Sequence, residues 1–273
     1  MKERRMFTEE DLTRALNEAG SRMRKTSAYL VGGCAMIFMG RKVATKDVDI
    51  VFESTSDAKD FVSSLQHAGF AQIRKHTRAY DALDASAILE DRRGIRFDVF
   101  DRRVCRALEV SEGMKARARH YRTFGNLDIF LVSPEDIFLF KGITEREADL
   151  EDMRILAETR LDWDTIEREC LSQKGSGRWA YMLGTKLLEL RARIGIDSPV
   201  IKALMEHADL DLLKRVFSTV ITEGKDTFKE ISETIKNRYR YSPSWTRRQL
   251  GILAKSGLIG VRKEGRRHIY YIR

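Results

Sequence analysis

Cysteine and proline are scarce, with three of each in 273 residues. Cys34, Cys105 and Cys170 are odd in number and far apart. That excludes a disulfide framework and reads as reduced, partly buried thiols in a cytoplasmic protein. Histidine is sparse too. His67, His76, His120, His207 and His268 form no pair at ligand spacing, so no zinc site is expected. Long apolar runs are missing. The longest, Ala28 to Gly40, holds three glycines and falls short of the roughly 20 residues a membrane helix needs. The charged, amphipathic start MKERRMFTEEDL predicts no secretory signal. No repeat, low-complexity segment or flexible linker stands out.

Charge is plentiful, with 50 Lys and Arg against 41 Asp and Glu, a formal net charge of +9. It is unevenly placed. Gly224 to Arg273 carries 13 basic and 4 acidic residues, leaving 37 of each sign before it. A neutral body thus carries a basic tail. Basic charge gathered on one module suits a polyanion, because neutralised phosphates release counterions. A merely solvated surface fits charge alone equally well.

Each proline follows a serine, at Ser133-Pro134, Ser198-Pro199 and Ser242-Pro243. Ser at N-cap with Pro at the first helical position is a good helix start, since the missing N–H would have been unpaired. Three starts are predicted there. Thr8 to Arg24 reads as a helix with Asp11 completing a capping box. Tyr29 to Val31 reads as a strand broken by Gly32-Gly33, and Cys34 to Met39 as a brief helix. Asp47 to Phe52, Ala85 to Leu89 and Ile95 to Phe100 read as strands. Ser56 to Ala68 is a helix closed by Gly69. Arg119 to Phe124 and Leu127 to Val132 form a hairpin around Gly125-Asn126. Ser133 to about Thr222 is nearly all helical. Further helices are expected at Asp209 to Thr222, Thr227 to Lys236 and Pro243 to Lys255, then a hairpin around Glu264-Gly265.

The most informative stretch runs from Val31-Gly32-Gly33 through thirteen residues to Asp47-Val48-Asp49-Ile50. Residues i and i+2 of a strand share a face, so Asp47 and Asp49 project together. Their repulsion is relieved by a divalent cation, and Mg²⁺ suits carboxylate oxygens and substrate phosphates. Glycines let backbone N–H groups approach a phosphate closely. Asp98, in Arg96-Phe97-Asp98-Val99-Phe100, supplies a third carboxylate for a two-metal site; Asp101 is a rival for that place. Taken alone, Asp-x-Asp on a strand is usually a solvent-facing edge.

These residues resemble the nucleotidyltransferase superfamily, whose fold is shared with the catalytic palm of DNA polymerase beta. The resemblance covers about Ala28 to Leu156. It implies an α/β, mixed-sheet nucleotidyltransferase fold, with Asp47, Asp49 and Asp98 as catalytic metal ligands and Asp98 activating the attacking hydroxyl. Gly32 and Gly33 would line the triphosphate, with Lys46 beside them. Within the superfamily the chain is similar to minimal nucleotidyltransferases of the abortive-infection toxin type. Those carry a similar Gly32-Gly33-Cys34-Ala35 and Thr45-Lys46-Asp47-Val48-Asp49 run, then a helical Lys with Arg and Asp, matched here by Lys141, Arg146, Asp149 and Asp152. Lys141 and Arg146 would then bind nucleotide. By default, a helical Lys is a solvated surface residue, and Asp149 and Asp152 only cap or solvate their helix. Cys34 departs from the usual Ser, so no hydroxyl is offered there.

The tail resembles a winged helix-turn-helix over about Asp209 to Arg273, on Leu250-x-x-Leu253-x-x-x-Gly257-Leu258-Ile259 with Gly265-Arg266 and Tyr270. The resemblance implies a DNA reader whose third helix enters the major groove. Ser244, Trp245, Arg247, Arg248 and Gln249 would lie there, with Lys263, Arg266 and Arg267 at the wing. Trp245 reads equally as core. Tyr239, Arg240 and Tyr241 interleave aromatics and charge near the turn, or simply pack.

The expected organisation is a nucleotidyltransferase-like domain at 1–160, a helical connecting region at 161–208, and a winged helix-turn-helix domain at 209–273. The expected activity is Mg²⁺-dependent transfer of a nucleoside monophosphate from an NTP to a hydroxyl of RNA, protein or a small molecule. The expected partners are NTP and double-stranded DNA through residues 224–273, with homodimerisation left open. The alternative is a DNA-binding regulator or antitoxin-like protein with a non-catalytic nucleotidyltransferase-like domain.

Overall fold

Thr8 starts the first helix, α1 (Glu9–Gly20), and its capping box with Asp11 is present. The helix stops at Gly20, short of Arg24, because the turn of a later hairpin docks on its end. The Asn126 N–H donates to the Gly20 carbonyl at 2.9 Å, and a Cβ at Gly20 would collide with the Phe124 carbonyl. The computed structural model describes residues 5–73, 85–104, 108–144, 146–239, 241–265 and 267–273. His76, Cys105, Arg240 and Arg266 therefore lie outside the described residues. The chain divides into two compact units, Met1–Ile201 and Lys202–Arg273.

In the first unit β1 (Thr26–Val31) leads directly into α2 (Gly32–Phe38). Gly32 and Gly33 were expected to separate strand from helix; instead they form the helix's first turn. The segment β2 (Val48–Phe52) follows, then α3 (Thr55–His67), capped by Ser54 accepting from the Asp57 N–H. Next come β3 (Ala71–Gln72), β4 (Ala87–Glu90), β5 (Arg96–Asp101), β6 (Arg103–Val104) and β7 (Leu108–Glu109). The helix α4 (Glu112–Arg117) precedes the hairpin β8 (Arg119–Phe124) and β9 (Leu127–Leu131).

Seven of these strands form one mixed sheet in the order β3-β4-β5-β2-β1-β9-β8. The pairs β2/β5 and β1/β9 are parallel and β1/β2 is antiparallel. Alternate residues give the sheet two faces. Phe52 and Phe97 share one, where Phe61 of α3 packs at 5.1 and 5.6 Å between ring centroids. Asp49 and Asp98 share the other.

Helices then dominate: α5 (Pro134–Gly142), α6 (Ala148–Ala157), α7 (Trp163–Ser172) and α8 (Ser176–Ile194). Ser133 caps α5 with a full capping box to Asp136. The helix expected from Ser198-Pro199 begins at Ile201, past a turn at 199–200. The Ser198 N–H donates to its neighbour Asp197 at 2.9 Å, its hydroxyl is buried without a partner, and the next helix begins two residues later.

That helix, α9 (Ile201–Thr222), opens the second unit and is eight residues longer at its start than expected. With α10 (Phe228–Tyr239) and α11 (Pro243–Lys255) it encloses Phe217, Val220, Ile231, Ile235, Leu250 and Leu253. The hairpin β10 (Ile259–Glu264) and β11 (Arg267–Ile272) closes the unit, and a bridge joins Ile269 to Thr227. No described helix is long and apolar enough to cross a membrane.

Phe61 is wholly buried. Phe61→Ala is expected to cost about 3–5 kcal/mol, while Ser133→Ala, which removes only a cap, costs about 1 kcal/mol. Urea unfolding followed by circular dichroism compares them, and equal losses would contradict the primacy of the aromatic core.

Candidate active site

Register gathers the acidic residues. Val31, the last residue of β1, lies opposite Asp49 of β2, and Asp49 lies opposite Asp98 of β5. Opposed residues share a face, so Asp49 and Asp98 project side by side, next to the start of α2. Asp101 pairs with Phe52, three residues on and on the other face, and accepts from the Thr55 hydroxyl. Asp98, not Asp101, therefore shares the face of Asp49.

The two glycines keep this region open. Gly32 has a φ of +64°, and a Cβ there would strike the Asp49 carboxylate. A Cβ at Gly33 would meet the Thr45 hydroxyl at 2.6 Å and lie 3.9 Å from Lys42 Nζ. Thr45 is fixed by a two-way bridge to Phe7, at 2.8 and 3.0 Å. This bridge anchors the segment carrying exposed Lys46 and half-buried Asp47.

Burial pushes the Asp49 carboxyl well above its ordinary range; Asp47 and Asp98 push it further, while Lys141 and Arg146 pull it back. The same field reaches Cys34. Its buried thiol is pushed up by desolvation, then by Asp49 and Asp47, and so stays neutral. Cys34 and Cys170 are both fully buried and free.

Two findings depart from expectation. Asp98 is not an open ligand: both of its oxygens accept from Arg96, through Nε and Nη2, and both residues are buried. Arg96 precedes Asp98 by two residues on one strand and so reaches it on the same face. Among the described residues, no three metal-ligating side chains are gathered about one point. Asp47 and Asp49 remain as a pair of hard oxygen donors whose mutual repulsion a divalent ion relieves, so the fit is to two carboxylates rather than three.

Lys141 is likewise no surface residue. It is 7% exposed, and its ammonium donates to Asp149 at 2.7 Å and Asp152 at 2.8 Å. Lys42 adds a second cation to Asp152 at 2.6 Å, and Arg146 Nε a second to Asp149 at 3.0 Å. Thr144 also donates to Asp149. Burial alone would lower the Lys141 pKa, but Asp149 and Asp152 outweigh it and raise it. Arg146 feels Asp149 first among its charges, then Asp49 and Asp47. Asp149 and Asp152 thus do more than cap a helix. Arg96, Lys42 and Thr144 are functional-site neighbours that spacing did not reveal; Arg96 alone had a legible signal, its two-residue offset from Asp98.

The second unit disposes its predicted residues on two sides. Ser244, Arg247, Arg248, Lys263 and Arg267 are exposed. Arg247 lies over the Phe228 ring at 4.6 Å. Gln249 is buried and leaves the solvent-facing set. Trp245 is half-buried, stacked on Tyr241 at 4.0 Å and on Phe217 at 6.3 Å, so its role in packing is evident.

Asp49 gives a stability signature. Its pKa is raised in the folded chain, so its contribution is fully present below the unfolded value and is lost as pH rises through the folded one. Asp49→Asn removes this loss. In metal-free buffer the variant is expected to melt higher than wild type at pH 7. The gain should vanish near pH 4, around the unfolded aspartate value; a wild type that melts higher at pH 7 would contradict the reading.

No curated protein matches this chain. A family model described as a nucleotidyltransferase of unknown function (DUF6036) matches residues 10–178. That span takes in the whole sheet, the Gly32-Gly33 turn, all three carboxylates and the Lys141 cluster, and the chain belongs to this nucleotidyltransferase family.

Proposed function

We propose that the first unit moves a nucleoside monophosphate from an NTP to an acceptor hydroxyl of RNA, protein or a small molecule. The observation that carries this reading is the register Val31–Asp49–Asp98, with Gly32 facing the carboxylates. In the transfer, the acceptor oxygen bonds to the α-phosphorus. The bond from that phosphorus to the bridging oxygen breaks and pyrophosphate leaves. The hydroxyl proton passes to a carboxylate oxygen of the cluster. Gly32 and Gly33 leave backbone N–H groups approachable by phosphate. Arg146, exposed and paired with Asp149, and Lys46, exposed beside Asp47, would meet triphosphate oxygens. Lys141 holds the loop that carries Arg146 through its bond to Asp149.

Asp47 and Asp49 would hold Mg²⁺, which when bound neutralises charge on the transferring phosphate. Asp98 joins that set only by giving up Arg96. The Arg96–Asp98 pair favours a second reading, in which the domain binds nucleotide without turnover in a DNA-binding regulator or antitoxin-like protein. Labelled NTPs, Mg²⁺ and mixed RNA or cell extract separate the two. Wild type is expected to transfer label and Asp47→Ala to lose at least about 10²-fold in rate, the scale of one lost electrostatic group; no transfer by wild type sinks the enzyme reading.

We further propose that residues 209–273 form a winged helix-turn-helix domain that binds duplex DNA. Three helices around one apolar cluster, a terminal hairpin and its bridge to Thr227 support this. Arg247, Arg248, Lys263 and Arg267 are exposed, and none has a carboxylate within ion-pair distance among the described residues, unlike Arg238 on Glu223 and Arg262 on Glu264. The double substitution Arg247→Ala, Arg248→Ala should weaken duplex binding and flatten its salt dependence by about 1.8 in log–log slope, about 0.9 per phosphate contact. Anisotropy titrations at several salt concentrations read this, and an unchanged slope removes α11 from the interface.

A further inference from the structure

Two cavities of the first unit differ in character. One, about 490 Å³, is lined by Glu53, Glu109 and Glu112 beside Arg102 and Lys115. Its charges are largely matched within the chain. Lys115 pairs with Glu53 at 2.8 Å and Glu112 at 2.9 Å, and Glu109 pairs with Arg103 at 2.6 Å. The other, about 350 Å³, is lined by Arg41, Arg117, Arg119 and His120, and by no described Asp or Glu.

The cations of this second cavity are not equally committed. Arg117 Nη2 is held by Asp136 at 2.6 Å and Glu169 at 2.9 Å, while its Nε is buried without a hydrogen-bond partner. His120 has Asp128 at 3.8 Å and meets the Phe130 ring edge-on at 5.3 Å. Arg41, half-buried, and Arg119, exposed, have no carboxylate within ion-pair distance among the described residues. Partial burial strips part of a guanidinium's hydration, and an anion from outside relieves that cost.

Both uncommitted arginines stand on fixed backbone. The Arg41 N–H donates to the Met36 carbonyl at 2.8 Å, at the end of α2. Arg119 opens β8 opposite Leu131 of β9. Leu131 lies opposite Leu30, whereas Asp49 lies opposite Val31. Leu30 and Val31 are successive strand residues and point to opposite faces. Arg119 therefore stands off the carboxylate face, and neither Lys46 nor Arg146 lines this cavity.

Charge balance selects the anion. Two uncommitted guanidiniums match a phosphate group, which carries about −1.5 to −2 at pH 7 and three acceptor oxygens. A carboxylate would leave one of them unmatched. Guanidinium forks also fit phosphate oxygens in pairs. The aromatic wall is already covered, since Phe38 stacks on Tyr121 at 4.7 Å and Arg122 lies over the Tyr121 ring at 5.6 Å. Recognition thus falls on the phosphate. The volume sits near the lower end of small-ligand pockets, roughly 300–1,000 Å³, and admits a small phosphorylated compound.

We propose that this cavity is a phosphate-binding site, distinct from the candidate active site, for free phosphate or the phosphate group of a small phosphomonoester. The anion is held by the guanidinium groups of Arg41 and Arg119. The site stands on the cavity alone, whether or not the first unit transfers a nucleotide.

The test is phosphorus NMR of inorganic phosphate titrated with the full chain, at constant ionic strength in chloride buffer. Wild type is expected to bind with a Kd on the order of 1 mM or tighter. The double substitution Arg41→Ala, Arg119→Ala should weaken binding at least about tenfold, the scale of one lost charge-assisted hydrogen bond. Arg119→Glu, a single change at an exposed position, should weaken it as well and serves where the double variant fails to fold. Lys46→Ala with Arg146→Ala should leave it unchanged. Glycerol phosphate titrated in parallel separates the two sources. Tighter binding than phosphate identifies a phosphorylated small molecule, and equal or weaker binding identifies free phosphate. Three results overturn the proposal: no binding by wild type at about 10 mM, unchanged affinity in the arginine variants, or an equal loss in the Lys46 and Arg146 variant.

Discussion

Asp49 and Asp98 on neighbouring strands, with Asp47 just before β2, repel one another, and much of the first unit's local structure answers that repulsion. Asp49 feels burial first, then both Asp47 and Asp98, and carries the cost as a raised pKa. Asp98 is neutralised by Arg96, its neighbour two residues earlier. Arg146 and Lys141 lower the remaining potential at Asp49 from the helical side. Lys141 is itself buried, so it needs Asp149 and Asp152, and Asp152 in turn takes Lys42. The chain of ion pairs ends at Lys42, next to Gly33 and Thr45, so it begins and ends at the same site. A buried pair that loses one member leaves an uncompensated charge, which makes these residues a unit rather than a set of independent contacts.

What was legible in the sequence follows from local physics. The Thr8 and Ser133 capping boxes, the Ser242-Pro243 start of α11 and the β8–β9 hairpin need only near neighbours, and each is found where spacing put it. The strand expected from Asp47 begins one residue later, at Val48, so Asp47 lies just before the alternation that orients Asp49. The start expected at Ser198-Pro199 is displaced by two residues, to Ile201. The start of α9 was missed because Asp209 looked like a boundary, whereas it lies mid-helix on an exposed face. Tertiary partners were not legible. Nothing in the spacing joins Lys42 to Asp152, 110 residues away.

Charge asymmetry takes on a sharper meaning beside the structure. The balanced count before Gly224 hides a separation within the first unit. Asp49, Asp98 and Asp101 lie on β2 and β5, while Arg119 on β8 and Arg41 after α2 have, among the described residues, no carboxylate within ion-pair distance. In the second unit, several bases are spent on internal pairs, Arg238 on Glu223 and Arg215 on Asp211 among them. Net charge therefore overstates what either surface can offer a phosphate; the bases left without a carboxylate are the relevant number.

Arginine at position 96 constrains how the site can be controlled. A guanidinium stays protonated across any working pH, so acid or base cannot release Asp98 by removing the Arg96 charge. Only a competing cation, or movement of the Arg96 side chain out of its buried place, frees both carboxylate oxygens. Asp49 is the opposite case, since its raised pKa makes its charge depend on surroundings that a bound cation would change. The two carboxylates face each other across one pair of strands, yet one is held by a fixed charge and the other by a balance. The charge on Asp49 therefore answers to its surroundings, whereas Asp98 becomes available only where Arg96 moves or is displaced.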